Sequence, residues 1–299
     1  MSEETVRLSH EGFSYSCRVN RRPHGTRPPV FLFGGALHRN HGWARRLERA
    51  LPSQTAVVTV DLPGFGAADS LPPTHDATFL AGAAWRAVER LGFQQYDLVG
   101  QCLGGFVVHQ MLRQARPGVN RVVLSGVCAG PWPGPQLRAE LRNAEVASDS
   151  GDRATLLHVA TRLFFGSAAS AAGERGDQSV LPQFRDRIGS LDPGVLEDLR
   201  SHLYRAWFPQ QRAASPTPDV PVLVFTGVND VLTPPREAHQ LASSFPRGRF
   251  AVVEDAGHMI HIERPDEYGL IVASHLSHRP GAVPHCRPLS ASERQAQLT

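Results

Sequence analysis

Short apolar runs alternate with helical stretches along most of this chain, and this alternation constrains the fold more than any other sequence feature. Strands that alternate with helices form a mostly parallel sheet with helices on both faces. We therefore predict an α/β fold with a mostly parallel central sheet. The predicted strands are 30–33, 56–61, 96–100, 121–125, 222–226 and 250–253, preceded by a hairpin of 5–8 and 13–19. The predicted core helices are 78–91, 103–114, 235–244 and 265–276.

The regular alternation stops between residues 125 and 222, where no good strand candidate occurs. Apolar residues recur at helical spacing in segments 137–146, 154–165 and 195–208 of this stretch. We therefore predict a helical cap over residues 130–214, inserted between the two parts of the core at 1–129 and 215–278. Residues 279–299 have no apolar periodicity, and we predict a disordered tail there.

The charge and the cysteine content exclude several kinds of partner. The net charge of +3 comes from arginines that are scattered along a sequence without lysine, so no nucleic-acid partner is expected. The four cysteines form no CxxC pairs and have no histidines at zinc-ligand spacing, so we expect no disulfide framework and no metal. Segment 1–13 lacks a signal-peptide pattern, and no run of about 18 apolar residues occurs. We expect a cytoplasmic protein without a membrane partner.

The strongest chemical motif is Gly100-Gln101-Cys102-Leu103-Gly104, between a predicted strand and a predicted helix. A nucleophile on such a turn is lifted clear of the sheet, and glycines two residues to either side leave room for the neighbouring strand and helix. The helix N-terminus favours negative charge on the sulfur. We predict that Cys102 is the catalytic nucleophile, and the alternative is a cysteine that only packs in the core.

A second motif is the Gly34-Gly35 turn that directly follows the predicted strand at 30–33. Acyl transfer creates an oxyanion, and preorganised backbone N–H groups stabilise it. We predict that the N–H groups of Ala36 and Leu103 form this oxyanion hole. A Gly-Gly turn after a strand is also common without any function.

Motifs in five places along residues 13–276 resemble those of the α/β-hydrolase superfamily. They are the Gly34-Gly35 turn, the segment Asp61-Leu62-Pro63-Gly64-Phe65-Gly66, the elbow at Cys102, the strand that ends in Asn229-Asp230, and the loop Ala256-Gly257-His258. The resemblance implies the α/β-hydrolase fold and a catalytic triad of Cys102, Asp230 and His258, in the chain order that this fold uses. It implies no cofactor.

Other residues compete with the triad acid or extend the site. Asp255 lies three residues from His258 and would point poorly at the far imidazole nitrogen, and Asp61 is expected to hold its own loop by hydrogen bonds. We therefore prefer Asp230. The superfamily resemblance further implies a substrate pocket, and the residues that we predict to line it are Leu37, His38, Cys128 and Trp132.

Most members of the superfamily have serine where this chain has Cys102. A thiol can be stored as a thiolate beside an imidazolium, and the thioester that it forms stays reactive toward an incoming acceptor. We therefore predict a thioesterase or acyltransferase that acts on a small-molecule acyl group bound to an acyl carrier protein or to coenzyme A. Cysteine elbows occur in polyketide and nonribosomal peptide pathways, which implies bacterial specialised metabolism such as antibiotic biosynthesis.

Three other functions stay open. The first is hydrolysis of an activated ester or lactone by a dienelactone-like enzyme, for which Arg39, Arg45 and Arg46 could hold a substrate carboxylate. The second is a non-catalytic ligand-binding protein, although such a protein has no need for all three triad residues. The third is a lyase or a carbon–carbon bond-forming enzyme on the same fold.

Overall fold

The computed structural model describes residues 2–22, 25–35, 44–128, 135–166, 182, 184, 186, 201–202, 205, 218–277 and 286–287. The strands are β1 Ser2–His10, β2 Phe13–Arg21, β3 Val30–Phe33, β4 Val57–Asp61, β5 Tyr96–Gln101, β6 Val119–Ser125, β7 Val222–Gly227, β8 Gly248–Val253 and β9 Cys286–Arg287. Within these residues they form one nine-stranded sheet in the order β1-β2-β4-β3-β5-β6-β7-β8-β9. From β4 to β8 each neighbouring pair is parallel, and β1, β2 and β9 are antiparallel to their neighbours.

The helices are α1 Arg45–Ala50, α2 Ala77–Leu91, α3 Leu103–Arg113, α4 Pro135–Asp149, α5 Arg153–Phe165, α6 Pro235–Ser243, α7 Ile260–Glu263 and α8 Pro265–Leu276. The predicted α/β fold is confirmed, and the predicted core strands and helices agree with these bounds to within a few residues. The short helices α1 and α7 were not predicted. Among the described helices, none combines the length and the apolar character that a bilayer crossing requires.

The sheet is buried on both faces, which explains the continuous apolar runs of its strands. In β3, Phe31 and Phe33 belong to one core cluster, while Val30 and Leu32 belong to the other. Helices α2 and α3 contribute side chains to the first cluster, and α1 and α8 contribute to the second. The parallel strands are thereby held between two helical layers, with their carboxyl ends at one edge.

Much of the predicted cap lies outside the described residues, as does Trp132. Within it, α4 and α5 occupy two of the segments predicted to be helical, and residues 201–202 and 205 are helical in the third. In the predicted tail, Cys286–Arg287 pair antiparallel with β8. The rest of that tail is outside the described part of the chain.

Candidate active site

Cys102 stands on a strained turn between β5 and α3. Its backbone has φ 53° and ψ −122°, a conformation with positive φ that non-glycine residues adopt rarely and at an energetic cost. The N–H of Cys102 donates to the carbonyl of Ser125 at 2.8 Å, and this bond ties the turn to the end of β6. The side chain is partly exposed, whereas the thiols of Cys17 and Cys128 are buried.

Close packing around the elbow depends on glycine. A Cβ on Gly100 would lie 2.5 Å from the Cα of Gly105. A Cβ on Gly104 would overlap the carbonyl group of Phe33 and lie 2.6 Å from the carbonyl oxygen of Gly34. Real Cβ atoms essentially never come within 3.0 Å of such atoms. The glycine spacing in the sequence is therefore what lets α3 begin directly against the end of β3.

One of the two predicted oxyanion donors lies in the described part of the chain. Among the described residues, none accepts a hydrogen bond from the N–H of Leu103, which is the first residue of α3. A Cβ on Gly35 would lie 3.5 Å from the sulfur of Cys102, so the Gly34-Gly35 turn borders Cys102. The second predicted donor, Ala36, is outside the described residues.

His258 and Asp230 meet at the carboxyl ends of β8 and β7. The imidazole Nδ1 lies 2.9 Å from Oδ2 of Asp230, and both side chains are buried. Asp255, the alternative acid, is exposed and lies 3.3 Å from Arg264 instead. Asp61 is buried at the end of β4. Asp230 is therefore the carboxylate that contacts His258 in this structure.

Two threonines that sequence reasoning missed hold the Asp230 carboxylate. The hydroxyl of Thr226 donates to Oδ2 at 2.6 Å, and the hydroxyl of Thr233 donates to the same oxygen at 2.7 Å. The N–H of Thr233 donates to Oδ1 at 2.8 Å. Both threonines are buried, so these bonds fix the carboxylate in one orientation toward His258.

The pKa shifts of Asp230 and His258 favour the charged form of each residue. Burial raises the pKa of Asp230, but His258 and the donors from Thr226 and Thr233 outweigh it, and the pKa of this carboxyl is lowered. Burial lowers the pKa of His258, but Asp230 and Cys102 outweigh it, and the pKa of the imidazole is raised well above its usual value. The arrangement therefore favours an imidazolium beside a carboxylate.

Cys102 lies close enough to the His258 ring to act on its charge. Cys102 raises the pKa of His258 through its charge and through a hydrogen bond. This hydrogen bond is not fully formed, because the buried Nε2 has no partner with regular geometry in the described part of the chain. Catalytic hydrogen bonds are often long before the substrate arrives. The structure thus brings all three predicted triad residues together, with the carboxylate on Nδ1 and Cys102 close enough to the ring to raise its pKa.

The end of α5 packs directly on the His258 loop. The N–H of His258 donates to the carbonyl of Phe164 at 2.9 Å, and the two rings have centroids 6.0 Å apart. Phe164 also contacts Phe184, with ring centroids 5.6 Å apart. The predicted cap segment therefore contributes the apolar side chain of Phe164 beside His258, which periodicity alone did not locate.

Of the remaining predicted pocket residues, Cys128 alone lies in the described part of the chain. Cys128 is fully buried, and its thiol donates to the Glu237 carboxylate. Burial is the main reason that the pKa of Cys128 is raised, so this thiol is held neutral. Its place in the pocket stays a prediction, and Leu37, His38 and Trp132 lie outside the described residues.

The family model of the alpha/beta hydrolase fold matches residues 28–265, so the chain belongs to this family of hydrolases. A poly(3-hydroxyalkanoate) depolymerase of Ectopseudomonas oleovorans is 24% identical, over 96% of this chain and 96% of that protein. A pimeloyl-(acyl-carrier protein) methyl ester esterase of Aromatoleum aromaticum is 26% identical, over 78% of this chain and 94% of that protein. The enol-lactonase from Burkholderia xenovorans has the same fold, with a TM-score of 0.73 at 21% identity, over 91% of this chain and 100% of that chain.

Proposed function

We propose that this hydrolase cleaves activated carboxylic esters or lactones through an acyl-enzyme on Cys102. The observation that most supports this proposal is the joint position of Cys102, His258 and Asp230 at the carboxyl edge of the sheet. The sulfur is on the strained turn, the imidazole is beside it, and the carboxylate lies 2.9 Å behind the ring. Such a nucleophile–base–orienter chain is the arrangement that covalent acyl chemistry requires.

In the proposed mechanism, the sulfur of Cys102 attacks the carbonyl carbon, and the N–H of Leu103 meets the oxyanion. His258 gives a proton from Nε2 to the departing oxygen, which leaves a thioester on Cys102. His258 then takes a proton from water, and the resulting hydroxide attacks the thioester and releases the acid. Asp230 stabilises the imidazolium and keeps the proton on Nδ1 throughout.

A sulfur nucleophile selects for esters with good leaving groups. In the tetrahedral intermediate, a thiolate departs more readily than an alkoxide, so attack on a simple alkyl ester mostly reverses. An enolate or a phenolate departs readily enough for the acyl-enzyme to form. Among the relatives, the methyl ester esterase is named for the cleavage of an oxygen ester, which favours oxygen esters over other acyl donors.

The described surroundings of the site favour an uncharged acyl group. Phe164 lies beside His258, Phe184 packs against Phe164, and both side chains are buried. Arg45, one of the arginines considered for a substrate carboxylate, lies 3.6 Å from Glu3. Glu3 pairs with Asn20, which pairs with Val57 at the start of β4, so this arginine is directed away from the carboxyl edge of the sheet.

Acyl transfer from a thioester is the second candidate, because Cys102 replaces the usual serine. Exchange of one thioester for another is nearly neutral in free energy, so a carrier-bound or coenzyme A-bound acyl group would also load Cys102. A thiol, amine or alcohol acceptor would then replace water. This candidate predicts that thioesters are processed faster than activated oxygen esters of the same acyl group.

Turnover of three matched substrates tests the proposal. The purified protein is assayed with p-nitrophenyl butyrate, an enol lactone and the N-acetylcysteamine thioester of butyrate. We expect the two oxygen substrates to give the higher kcat/KM, and Cys102→Ala to lower it by at least about 10³-fold. The control Cys17→Ala changes a buried cysteine of β2 and should keep full activity. Faster thioester turnover would favour the second candidate, and full activity in Cys102→Ala would refute both.

A further inference from the structure

Glu263 holds the backbone on both sides of His258. It is the last residue of α7, and its side chain turns back toward the loop that follows β8. One carboxylate oxygen, Oε2, accepts the N–H of Gly257 at 2.9 Å, and the other, Oε1, accepts the N–H of Met259 at 3.0 Å. Since the N–H of His258 donates to Phe164, three successive N–H groups of this loop are held.

The loop has no regular structure of its own to fix it. It includes Asp255, a non-glycine residue with φ 51°. It also includes Gly257, where a Cβ would lie 2.7 Å from the backbone of Phe165. The position of the imidazole relative to the sulfur of Cys102 therefore depends on the contacts that the loop makes. A displacement of about 1 Å in a catalytic group can lower a rate by about 10²-fold.

The charges around Glu263 link it to the same ring. Burial raises the pKa of Glu263 to about 7, its two backbone donors lower it, and Asp230 and His258 act on it in opposite directions. Because His258 lowers the pKa of Glu263, the ionised Glu263 in turn stabilises the imidazolium. Burial lowers the pKa of His261 to about 3, so this neighbour stays neutral. The nearby ion pair of Arg264 joins Asp255 rather than Glu263.

We propose that Glu263 is a positioning residue that sets His258 against the sulfur of Cys102 by clamping the peptide groups on both sides of the histidine. The catalytic consequence rests on the proposed function, in which His258 is the acid and base. The clamp itself does not rest on the proposed function, because it concerns only the position of the His258 ring relative to the thiol of Cys102.

The variants Glu263→Gln and Glu263→Ala remove one and both, respectively, of the hydrogen bonds that Glu263 accepts from the loop. A glutamine side chain has nearly the same shape but only one acceptor oxygen, so its amide group would face one of the two backbone N–H donors. It should keep one of the two hydrogen bonds. An alanine keeps neither. The expected order of function is wild type, then Glu263→Gln, then Glu263→Ala, and the glutamine variant acts as the conservative partial rescue.

The first measurement is turnover of p-nitrophenyl butyrate by wild type, Glu263→Gln, Glu263→Ala and Asp266→Asn. We expect kcat to fall about 10-fold in the glutamine variant and about 100-fold in the alanine variant, with KM within about twofold because substrate binding is intact. Asp266 is exposed at the start of α8, so its variant should match the wild type. Unchanged kcat in both Glu263 variants would overturn the proposal, as would losses that match a reduced folded fraction by circular dichroism.

The second measurement needs no substrate. Iodoacetamide alkylation of Cys102, followed by intact mass at pH 7, reports how well His258 activates the sulfur. We expect the rate for Glu263→Ala to lie between those of wild type and His258→Ala, and the rate for Asp266→Asn to equal wild type. A wild-type rate in Glu263→Ala would overturn the clamp. If the wild type hydrolyses no ester but this order of alkylation rates holds, the proposed function fails while the clamp stands.

Discussion

Replacement of Gly104 by alanine tests the packing that raises Cys102 above the sheet. A Cβ at this position would overlap the carbonyl of Phe33 and lie 2.6 Å from the carbonyl oxygen of Gly34. These are backbone atoms of β3 and of the turn after it, so no side-chain rotation can relieve the clash. The start of α3 must move away from β3, which also breaks the 3.0 Å hydrogen bond from the N–H of Gly104 to Gly34.

The loss of folding stability in Gly104→Ala has two contributions, the clash of the new Cβ and the broken hydrogen bond to Gly34. Overpacking in a close-packed interior costs about 1 to 3 kcal/mol, and the lost backbone hydrogen bond adds about 1 kcal/mol. A total near 3 kcal/mol lowers the melting temperature by about 6 to 12 °C in a domain of this size. We also expect a loss of kcat at a temperature where the variant is fully folded, because the N–H of Leu103 moves with α3. Thermal unfolding followed by circular dichroism and turnover of p-nitrophenyl butyrate measure the two effects.

Gly92→Ala is the matched control. Gly92 ends α2 with φ 69°, and a Cβ there would meet no atom within 4 Å. Its alanine variant bears only the cost of the left-handed backbone, about 1 to 2 kcal/mol, and should keep full kcat. If Gly104→Ala melts no lower than Gly92→Ala and has wild-type turnover, the account of the elbow is wrong.

Two further predictions concern buried polar groups. Thr226→Val removes one donor from Asp230 while Thr233 keeps its two, so we expect kcat to fall about 10-fold, the cost of one charge-assisted hydrogen bond. An unchanged kcat in steady-state kinetics would contradict that role. Burial lowers the pKa of His275 to about 4, so the folded state binds fewer protons than the unfolded state between about pH 6.5 and pH 4, and stability falls as the pH falls through this window. His275→Gln should flatten the decline in melting temperature over the same window, and an equally steep decline would show that another group causes it.

The core of the fold was predictable because its strands are buried on both faces and stand out as apolar runs. β3 and α8 were predicted with the bounds that the structure has, since a strong apolar run and an N-terminal proline mark them. The position of β4 between β2 and β3 is a property of the whole sheet, and no local pattern specifies it. The helix α7 is four residues long, too short for a periodic signal.

The meeting of Cys102, His258 and Asp230 at one edge of the sheet was predictable because glycines and strand ends mark these residues in the sequence. The residues that support it were not. Thr226 is a β-branched residue in a strand, and nothing nearby in the sequence reveals its bond to Asp230. Glu263 lies five positions after His258, and no local pattern marks it, although both of its oxygens accept backbone N–H groups. Such contacts arise only when loops from several strands meet, so periodicity cannot locate them.

The most direct test of the central claim is to find the acyl group on Cys102. Wild-type protein turning over p-nitrophenyl butyrate is quenched in acid, digested, and its peptides are analysed by mass spectrometry. The account predicts a butyryl group on the peptide that contains Cys102, and neither this adduct nor turnover in Cys102→Ala. Steady turnover that persists in Cys102→Ala, with the butyryl group absent from Cys102 or on another residue of the wild type, would contradict it.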